Sequence, residues 1–290
     1  MRVTESRMMQ LASQHMSQAQ SKVAESADAV ASGVRVNKPS DDPTAWAAAE
    51  RAKARETAST ARGTAIGRAK SQLQATDGAL GTIQTAIARA RELANQMANG
   101  TLDSAQRSAA AVEVQALRDT VLSSANATDG DGLHLLAGSQ GTTNPFTLAA
   151  YSGDGAQRQI QINEMMSVRV RLNGLVLTAA GGVDIIGVMN QLATDLSANN
   201  VAGVQTGLTD LATATTQLST ARGSVGAELS TLNSADDARM AFEEQLDKDQ
   251  AAQVGADPIQ AASQLAQAKN ALETTQTVAQ MITQLTQTKY

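Results

Sequence analysis

Apolar residues recur every seven positions in four stretches of the sequence, and this spacing constrains the fold more than any other feature. In each stretch a further apolar or small residue follows three or four positions behind the first. Two such positions in seven form the narrow seam of a coiled coil, whereas an ordinary globular helix carries a wider apolar stripe. The four series are Met9, Met16, Val23 and Val30; Ile66, Leu73, Leu80, Ile87 and Ala94; Val204, Leu211, Leu218, Val225 and Leu232; and Leu265, Leu272 and Ala279.

The scarcity of large rings supports slim helices over a compact globule. Aromatic residues make up 2% of the 290 residues, although hydrophobic residues make up 42%. A globule of this length normally buries more aromatic surface. Helices of about 50–57 residues would extend roughly 75–85 Å at 1.5 Å per residue. We therefore predict a mostly α fold, a long coiled-coil-like helical rod.

The middle of the chain changes from helical spacing to alternation. Apolar residues take even positions from Ile160 to Leu172, including Met166, and Arg169 and Arg171 fall between them. Such alternation is typical of strands with one buried face. Asn173-Gly174 is the pair favoured in a two-residue hairpin turn, and we expect one there. Three domains are predicted: terminal coiled-coil helices plus a hinge at 1–42 and 251–290, a helical rod at 43–139 and 183–250, and a small β insertion at 140–182.

The stretch "SGVRVNKPSDDPTAW" interrupts two helix-forming runs. Gly33 suits the position just after a helix, where positive φ is favourable for glycine. Asp42 precedes Pro43, which disfavours the α conformation at Asp42 and lets it cap the next helix. Pro43 fits the first helical position, where no N–H is needed. We predict a hinge formed by Gly33, Pro39, Asp41, Asp42 and Pro43. Similarly, Asp103 is predicted to cap a helix that begins at Ser104.

Composition and motifs argue against several function classes. The formal charge is −5 and the pI about 5.1, with no basic cluster interleaved with aromatics, so we expect no nucleic-acid partner. The chain has no cysteine, and its two histidines, His15 and His134, are isolated. No nucleotide-binding or nucleophile motif occurs, and no apolar run reaches the length of a membrane span. We therefore expect no enzyme activity, no cofactor, no metal and no membrane contact.

Two stretches carry a resemblance to a known family. "SGVRVNKPSDDPTAWAAAERAKA" from residue 32 and "RARELANQMANGTLDSAQR" at 89–107 resemble conserved segments of the flagellin family. Within that family, "PSDDP", "HLLAGSQGTTNPF" at 134–146 and "YSGDGAQRQIQI" at 151–162 resemble the subgroup that joins the hook to the filament. The resemblance implies a flagellin-like fold and a structural adaptor between the hook-side associated protein and flagellin.

The resemblance also implies an arrangement and a set of partners. Helices at 3–32 and 257–287 would pair as an inner layer around the flagellar channel and would be disordered in the free monomer. Helices at 43–98, 104–126 and 200–250 would form the outer rod. The implied partners are like subunits in a ring, a hook-associated protein 1-type junction protein, flagellin, and an export chaperone at the C-terminal helix. The implied location is the extracellular flagellum, reached without a cleaved signal peptide.

The seams of the terminal helices are the predicted assembly interface. Its residues are Met9, Met16, Val23, Val30, Leu265, Leu272, Val278, Ile282 and Leu285. Two alternatives stay open from the sequence: a flagellin-like filament subunit, and a cytoplasmic signalling coiled coil.

Overall fold

The fold is dominated by long helices. The structure is a computed structural model that describes residues 2–100, 102–148, 150–157, 159–162, 167–170 and 172–287, with the side chains of residues 7–284 within them. Of the residues that the structure describes, 74% are helical, which confirms the predicted mostly α fold with a small β insertion. Within the described ranges the α-helices are α1 (Arg2–Ser32), α2 (Pro43–Met97), α3 (Ser104–Ala125), α4 (Ile185–Ser197), α5 (Val201–Val254) and α6 (Pro258–Gln287).

The chain divides into two compact units. Unit 1 contains the described residues up to Ser59 and from Ala241 onward, and unit 2 contains Thr60–Met240. Helices α2 and α5 each contribute to both units. The predicted boundaries at 42/43, 139/140, 182/183 and 250/251 stay a prediction.

In unit 1, α1 and α6 pack against each other. Their adjacent ends are joined by backbone hydrogen bonds, because the N–H of Ala256 donates to the carbonyl of Gly33 at 2.8 Å. A short antiparallel bridge links Val34 to Gly255 at the same point. The end of α1 and the start of α6 are therefore held together.

The helices of unit 2 share one apolar core with the β insertion. The second and third heptad series supply much of it: Ile66, Leu73, Leu80, Ile87, Val204, Leu211, Leu218, Val225 and Leu232 are all buried. Helix α4, which packs on α3, was not predicted. Its start carries the usual signal, because Asp184 accepts a hydrogen bond from the N–H of Gly187. It is short and apolar, so it has no heptad signature.

The β insertion contains a smaller sheet than predicted. Strand β1 (Gln159–Gln161) pairs antiparallel with β2 (Ser167–Arg169), with Ile160 opposite Val168. The alternation is confirmed by burial of Ile162, Val168 and Val170, whereas Met166 and Arg171 lie outside the described residues.

The predicted hairpin turn at Asn173-Gly174 is wrong. Asn173 bridges to Ala137, and Gly174 begins a 3₁₀ turn that ends at Leu177. A β-carbon on Gly174 would overlap the rings of Tyr151 and Phe146. Glycine is needed here for close packing and not for a hairpin conformation. The Tyr151 hydroxyl accepts from the Gly174 N–H at 3.1 Å, and burial raises the pKa of Tyr151.

Candidate assembly surface

The turn between α1 and α2 follows the local chemistry of its residues. Helix α1 ends at Ser32, and Gly33 has a φ of 68°. The carboxylate of Asp42 accepts from the N–H groups of Thr44 and Ala45 at 3.1 and 3.0 Å, so it caps α2, which begins at Pro43. The predicted helix stop, cap and first helical residue are therefore confirmed.

Pro39 and Asp41 form a tight turn ahead of that cap. The N–H of Asp41 donates to the carbonyl of Lys38 at 3.0 Å, which places Pro39 at the second position of the turn, where its fixed φ is favourable. The Asp41 carboxylate accepts in return from the N–H groups of Asn37 and Lys38 at 3.1 and 3.2 Å. A role for this segment as a moving hinge stays a prediction.

The segment after α1 is hydrogen-bonded to the residues at the end of α5, next to the turn between α5 and α6. The N–H of Arg35 donates to the carbonyl of Val254 at 2.7 Å, and its guanidinium donates to the carbonyl of Gln253 at 3.0 Å. Val36, Val254 and Ala45 form a small apolar cluster below these bonds. The two turns of unit 1 therefore hold each other in place.

Charged side chains surround the contact between these two turns. Lys38 lies 3.3 Å from Glu25 and 3.7 Å from Asp41, and the hydrogen bond with Glu25 is the main cause of the raised pKa of Lys38. The hydrogen bond from the Ala45 N–H is the main cause of the lowered pKa of Asp42. Because these groups are exposed, their ion pairs contribute little to stability and are screened by salt.

The predicted interface residues are divided between two environments. One group is half-buried at heptad positions on the two helices of unit 1 that pack together. The group consists of Met16, Val23, Leu265, Leu272 and Ile282. These side chains belong to the seam within the chain.

The other group is exposed. Met9, Val30 and Val278 are 47%, 44% and 48% exposed, and the side chain of Leu285 lies outside the described part of the chain. Further large apolar side chains on the same two helices share this exposure and were missed, because they fall beside the heptad series: Met8, Leu11, Ile259 and Met281. We call the exposed apolar residues of α1 and α6 the outer stripe.

The described residues contain neither a candidate metal cluster nor a candidate membrane span. Among the residues that the structure describes, no group of three or more His, Cys, Asp or Glu is placed to hold a metal ion. None of the described helices is both long and apolar enough to cross a bilayer.

Comparison with known proteins relates the N-terminal part of the chain to one family. Residues 4–141 match the bacterial flagellin N-terminal helical region. The N-terminal part of the chain is therefore similar to the flagellin family. Members of this family are structural proteins of the flagellum. This similarity favours a flagellar protein over a cytoplasmic signalling coiled coil.

Two curated flagellar proteins are similar to this chain. Flagellar hook-associated protein 3 of Escherichia coli is 36% identical over 121 residues, which are 41% of this chain and 37% of that protein. Polar flagellin F of Vibrio parahaemolyticus is 27% identical over 187 residues, which are 64% of this chain and 49% of that protein. The chain therefore aligns with less than half the length of either relative.

A solved structure shares the fold. The flagellar junction protein FlgL from Legionella pneumophila superposes with a TM-score of 0.59, covering 71% of this chain and 99% of that chain. The two sequences are 17% identical, so this likeness concerns the fold alone.

Proposed function

We propose that this protein is a structural adaptor at the junction between flagellar hook and filament. It forms a ring of like subunits, with a hook-associated protein 1-type partner on the hook side and flagellin on the filament side. The observation that carries the proposal is the outer stripe of unit 1, a set of large apolar side chains exposed to solvent on α1 and α6.

The outer stripe has a physical reason to be covered. Seven large apolar side chains of α1 and α6 are exposed, and an accumulation of exposed apolar surface often marks an interaction site. Covering it is worth roughly 25 cal/mol per Å². A pair of helices can bury only the faces they share, as α1 and α6 do with Leu265 and Leu272. Packing of several such pairs side by side would cover Met9, Val278 and Met281, and this is the contact we propose between like subunits.

The names of the relatives favour the junction over the filament. Of the two curated relatives, the one with the higher identity is a hook-associated protein. A filament subunit is the second candidate, because the flagellin relative aligns over a longer part of this chain.

The relatives are flagellar components, and this supports a location outside the cell. We propose export without cleavage of a signal peptide, with the export chaperone bound at α6 before assembly. The exposed Val278 and Met281 of α6 are side chains that such a chaperone would cover.

Gold-labelled antibody against this protein, viewed on whole cells by electron microscopy, tests the proposal. We expect label in a narrow band where hook meets filament. Label along the whole filament would instead establish the filament subunit. Absence of label outside the cell would contradict both.

A further inference from the structure

Helix α2 carries an exposed basic face in unit 1. Arg51 and Arg55 are one helical turn apart, and Ala54 and Ala58 lie beside them on the same exposed face. Neither guanidinium makes an ion pair or hydrogen bond with any described residue. Like charges at this spacing destabilise a helix by a few tenths of a kcal/mol. The helix alone therefore gives no reason for the pair.

Helix α5 carries an exposed acidic face in the same unit. Glu244 and Asp247 are three residues apart, and Ala251 follows one turn later on the same face. Lys248 pairs with Glu244 at 2.6 Å and neutralises one of the carboxylates. Four acidic residues and one lysine fall between 243 and 249, so the segment keeps a net negative charge.

The two faces do not satisfy each other within the chain. The ion pairs of unit 1 in the described residues join Arg35, Lys38 and Lys248 to carboxylates, and none involves Arg51 or Arg55. One unit thus presents a basic helix face and an acidic helix face, each bordered by small residues that allow another helix to approach closely.

We propose that the basic face of α2 on one copy docks on the acidic face of α5 on the next copy. The occupant of each face is a second copy of this chain, identified by opposite charge. Because the two faces differ, the contact is head-to-tail, and a closed rotation of head-to-tail contacts produces a ring. Exposed charge pairs give orientation and register more than affinity. This inference rests on the proposed ring of like subunits and adds the surfaces that align it.

Cysteine cross-linking of the purified full-length chain tests this contact directly. The sequence has no cysteine, so Ala58→Cys combined with Ala251→Cys introduces the reacting thiols. Mild oxidation is expected to give products at twice and higher multiples of 30.0 kDa, reversed by reductant. The matched control combines Lys53→Cys with Ala251→Cys, because Lys53 is exposed on a different side of α2, and it should remain monomeric. We call this series of cross-linked multimers the ladder. Equal ladders from the two cysteine combinations, or no ladder from Ala58→Cys with Ala251→Cys, would overturn the proposal.

Charge reversal in the Ala58→Cys/Ala251→Cys background tests the electrostatics. Arg51→Glu with Arg55→Glu should lower the cross-linked yield about tenfold, because acidic groups then face acidic groups. Glu244→Arg with Asp247→Arg should do the same. An equal mixture of the two variants restores complementary charge between copies and should recover the ladder, which also excludes misfolding as the cause of the loss. Failure of the mixture to recover it would contradict the assignment of the two faces.

The cross-linking uses purified protein, so its outcome is independent of where the protein lies on the cell. Label at the junction without a ladder would leave the proposed function standing and overturn the docking faces. A ladder with label along the filament would support the docking faces and contradict the junction assignment.

Discussion

At the scale of single residues, Arg107 is the buried cation on which one end of unit 2 depends. It is 2% exposed, and its guanidinium donates to the carbonyls of Met97 at 3.0 Å, Asn99 at 2.7 Å and Leu102 at 3.1 Å. It also donates to the side-chain oxygen of Asn199, between α4 and α5. The Arg107 side chain thus supplies hydrogen bonds to the carbonyl groups around the turn after α2 and links that turn to the turn before α5.

Substitution of Arg107 by alanine should destabilise unit 2 strongly. Each buried acceptor left without a partner costs about 1–3 kcal/mol, so we expect a loss of at least about 2 kcal/mol in urea unfolding followed by circular dichroism. Arg107→Lys should recover only part of this loss, because an ammonium lacks the planar fork of donors. The control is Arg91→Ala, an exposed position on α2, which should stay within about 0.5 kcal/mol of the parent.

Gly33 gives a second prediction at this scale, with a matched control in the same chain. Its φ of 68° suits glycine, and a β-carbon there would meet no atom within 4 Å. Gly33→Ala should therefore cost about 1 kcal/mol from backbone strain alone. Gly67 lies inside α2, where a β-carbon would also meet nothing, and Gly67→Ala should stabilise by about 0.5–1 kcal/mol. Thermal unfolding of the two variants should shift in opposite directions.

Residues with partners nearby in sequence were predicted, and those with distant partners were not. Asp103 caps α3 through the N–H of Gln106, three residues away, and Asp42 does the same for α2. Arg107 binds Asn199 at a distance of 92 residues along the chain. Gln217 likewise holds the carbonyls of Val176 and Val183 from a distant helix, although its sequence context is an ordinary heptad. No local pattern distinguishes such residues from exposed polar ones.

At the scale of elements, ion pairs between α2 and α5 fix how the helices of unit 2 align. Lys70 lies 2.7 Å from Asp236, and Arg222 forms two hydrogen bonds with Asp77 at 2.8 and 2.9 Å. A heptad seam of similar apolar residues tolerates a shift by one repeat, so specific charge pairs favour a single register. The heptad series predict that α2 and α5 pack together, and the ion pairs between the two helices determine the register in which they pack.

These pairs make unit 2 sensitive to acid. The hydrogen bond from Lys70 is the main cause of the lowered pKa of Asp236, and that from Arg222 lowers the pKa of Asp77. A lowered pKa in the folded state stabilises the fold above the ordinary carboxyl value of about 3.9, and the stabilisation is lost as pH falls through the folded value. We expect the melting temperature to fall on acidification below about pH 4.

Removing the two titrating carboxylates should reduce the fall of the melting temperature at acid pH. Asp77→Asn with Asp236→Asn should lower the melting temperature at pH 7 and reduce its further fall between pH 4 and 3. The control is Asp237→Asn, because Asp237 is exposed on α5 and makes no ion pair with a described residue. If the melting temperature of the double variant fell between pH 4 and 3 as much as that of the parent, this role of the two ion pairs would be contradicted.

Heptad spacing located four of the helices and the Asp103 cap located the start of α3, whereas the β insertion was predicted less well. Helices predicted at 3–32, 43–98 and 104–126 are observed at Arg2–Ser32, Pro43–Met97 and Ser104–Ala125. The hairpin at Asn173-Gly174 failed because tertiary packing of Gly174 against Tyr151 outweighed local turn preference. Periodicity reports which face is buried, but it does not report which strand pairs with which.

At the scale of the whole molecule, the proposed assembly depends on a difference between two sets of residues in unit 1, the half-buried seam of α1 and α6 and the outer stripe. The sequence predicted one interface, because all its members are apolar and nearly in heptad register. The structure assigns Leu272 to the half-buried seam and leaves Val278 exposed. The same kind of substitution at the two positions should therefore have different consequences.

Val278→Asp should leave the monomer intact and prevent assembly. The residue is 48% exposed, so a charge there costs the isolated chain little, whereas it would be desolvated in a contact between subunits. The structure has α1 and α6 packed together within one chain, so Leu272→Asp should instead lower the stability of this pair by about 1–3 kcal/mol, visible as lost helicity before any assembly. An unchanged helicity would favour the other expectation, that these helices are disordered in the free monomer. Circular dichroism of the purified chains separates the two effects.

In cells that lack the parent protein, both variants should leave hooks in place and release unpolymerised flagellin. Gln280→Asp introduces the same charge at an exposed position on another side of α6 and should support normal filaments. Normal filaments with Val278→Asp would show that the outer stripe is not the contact between subunits.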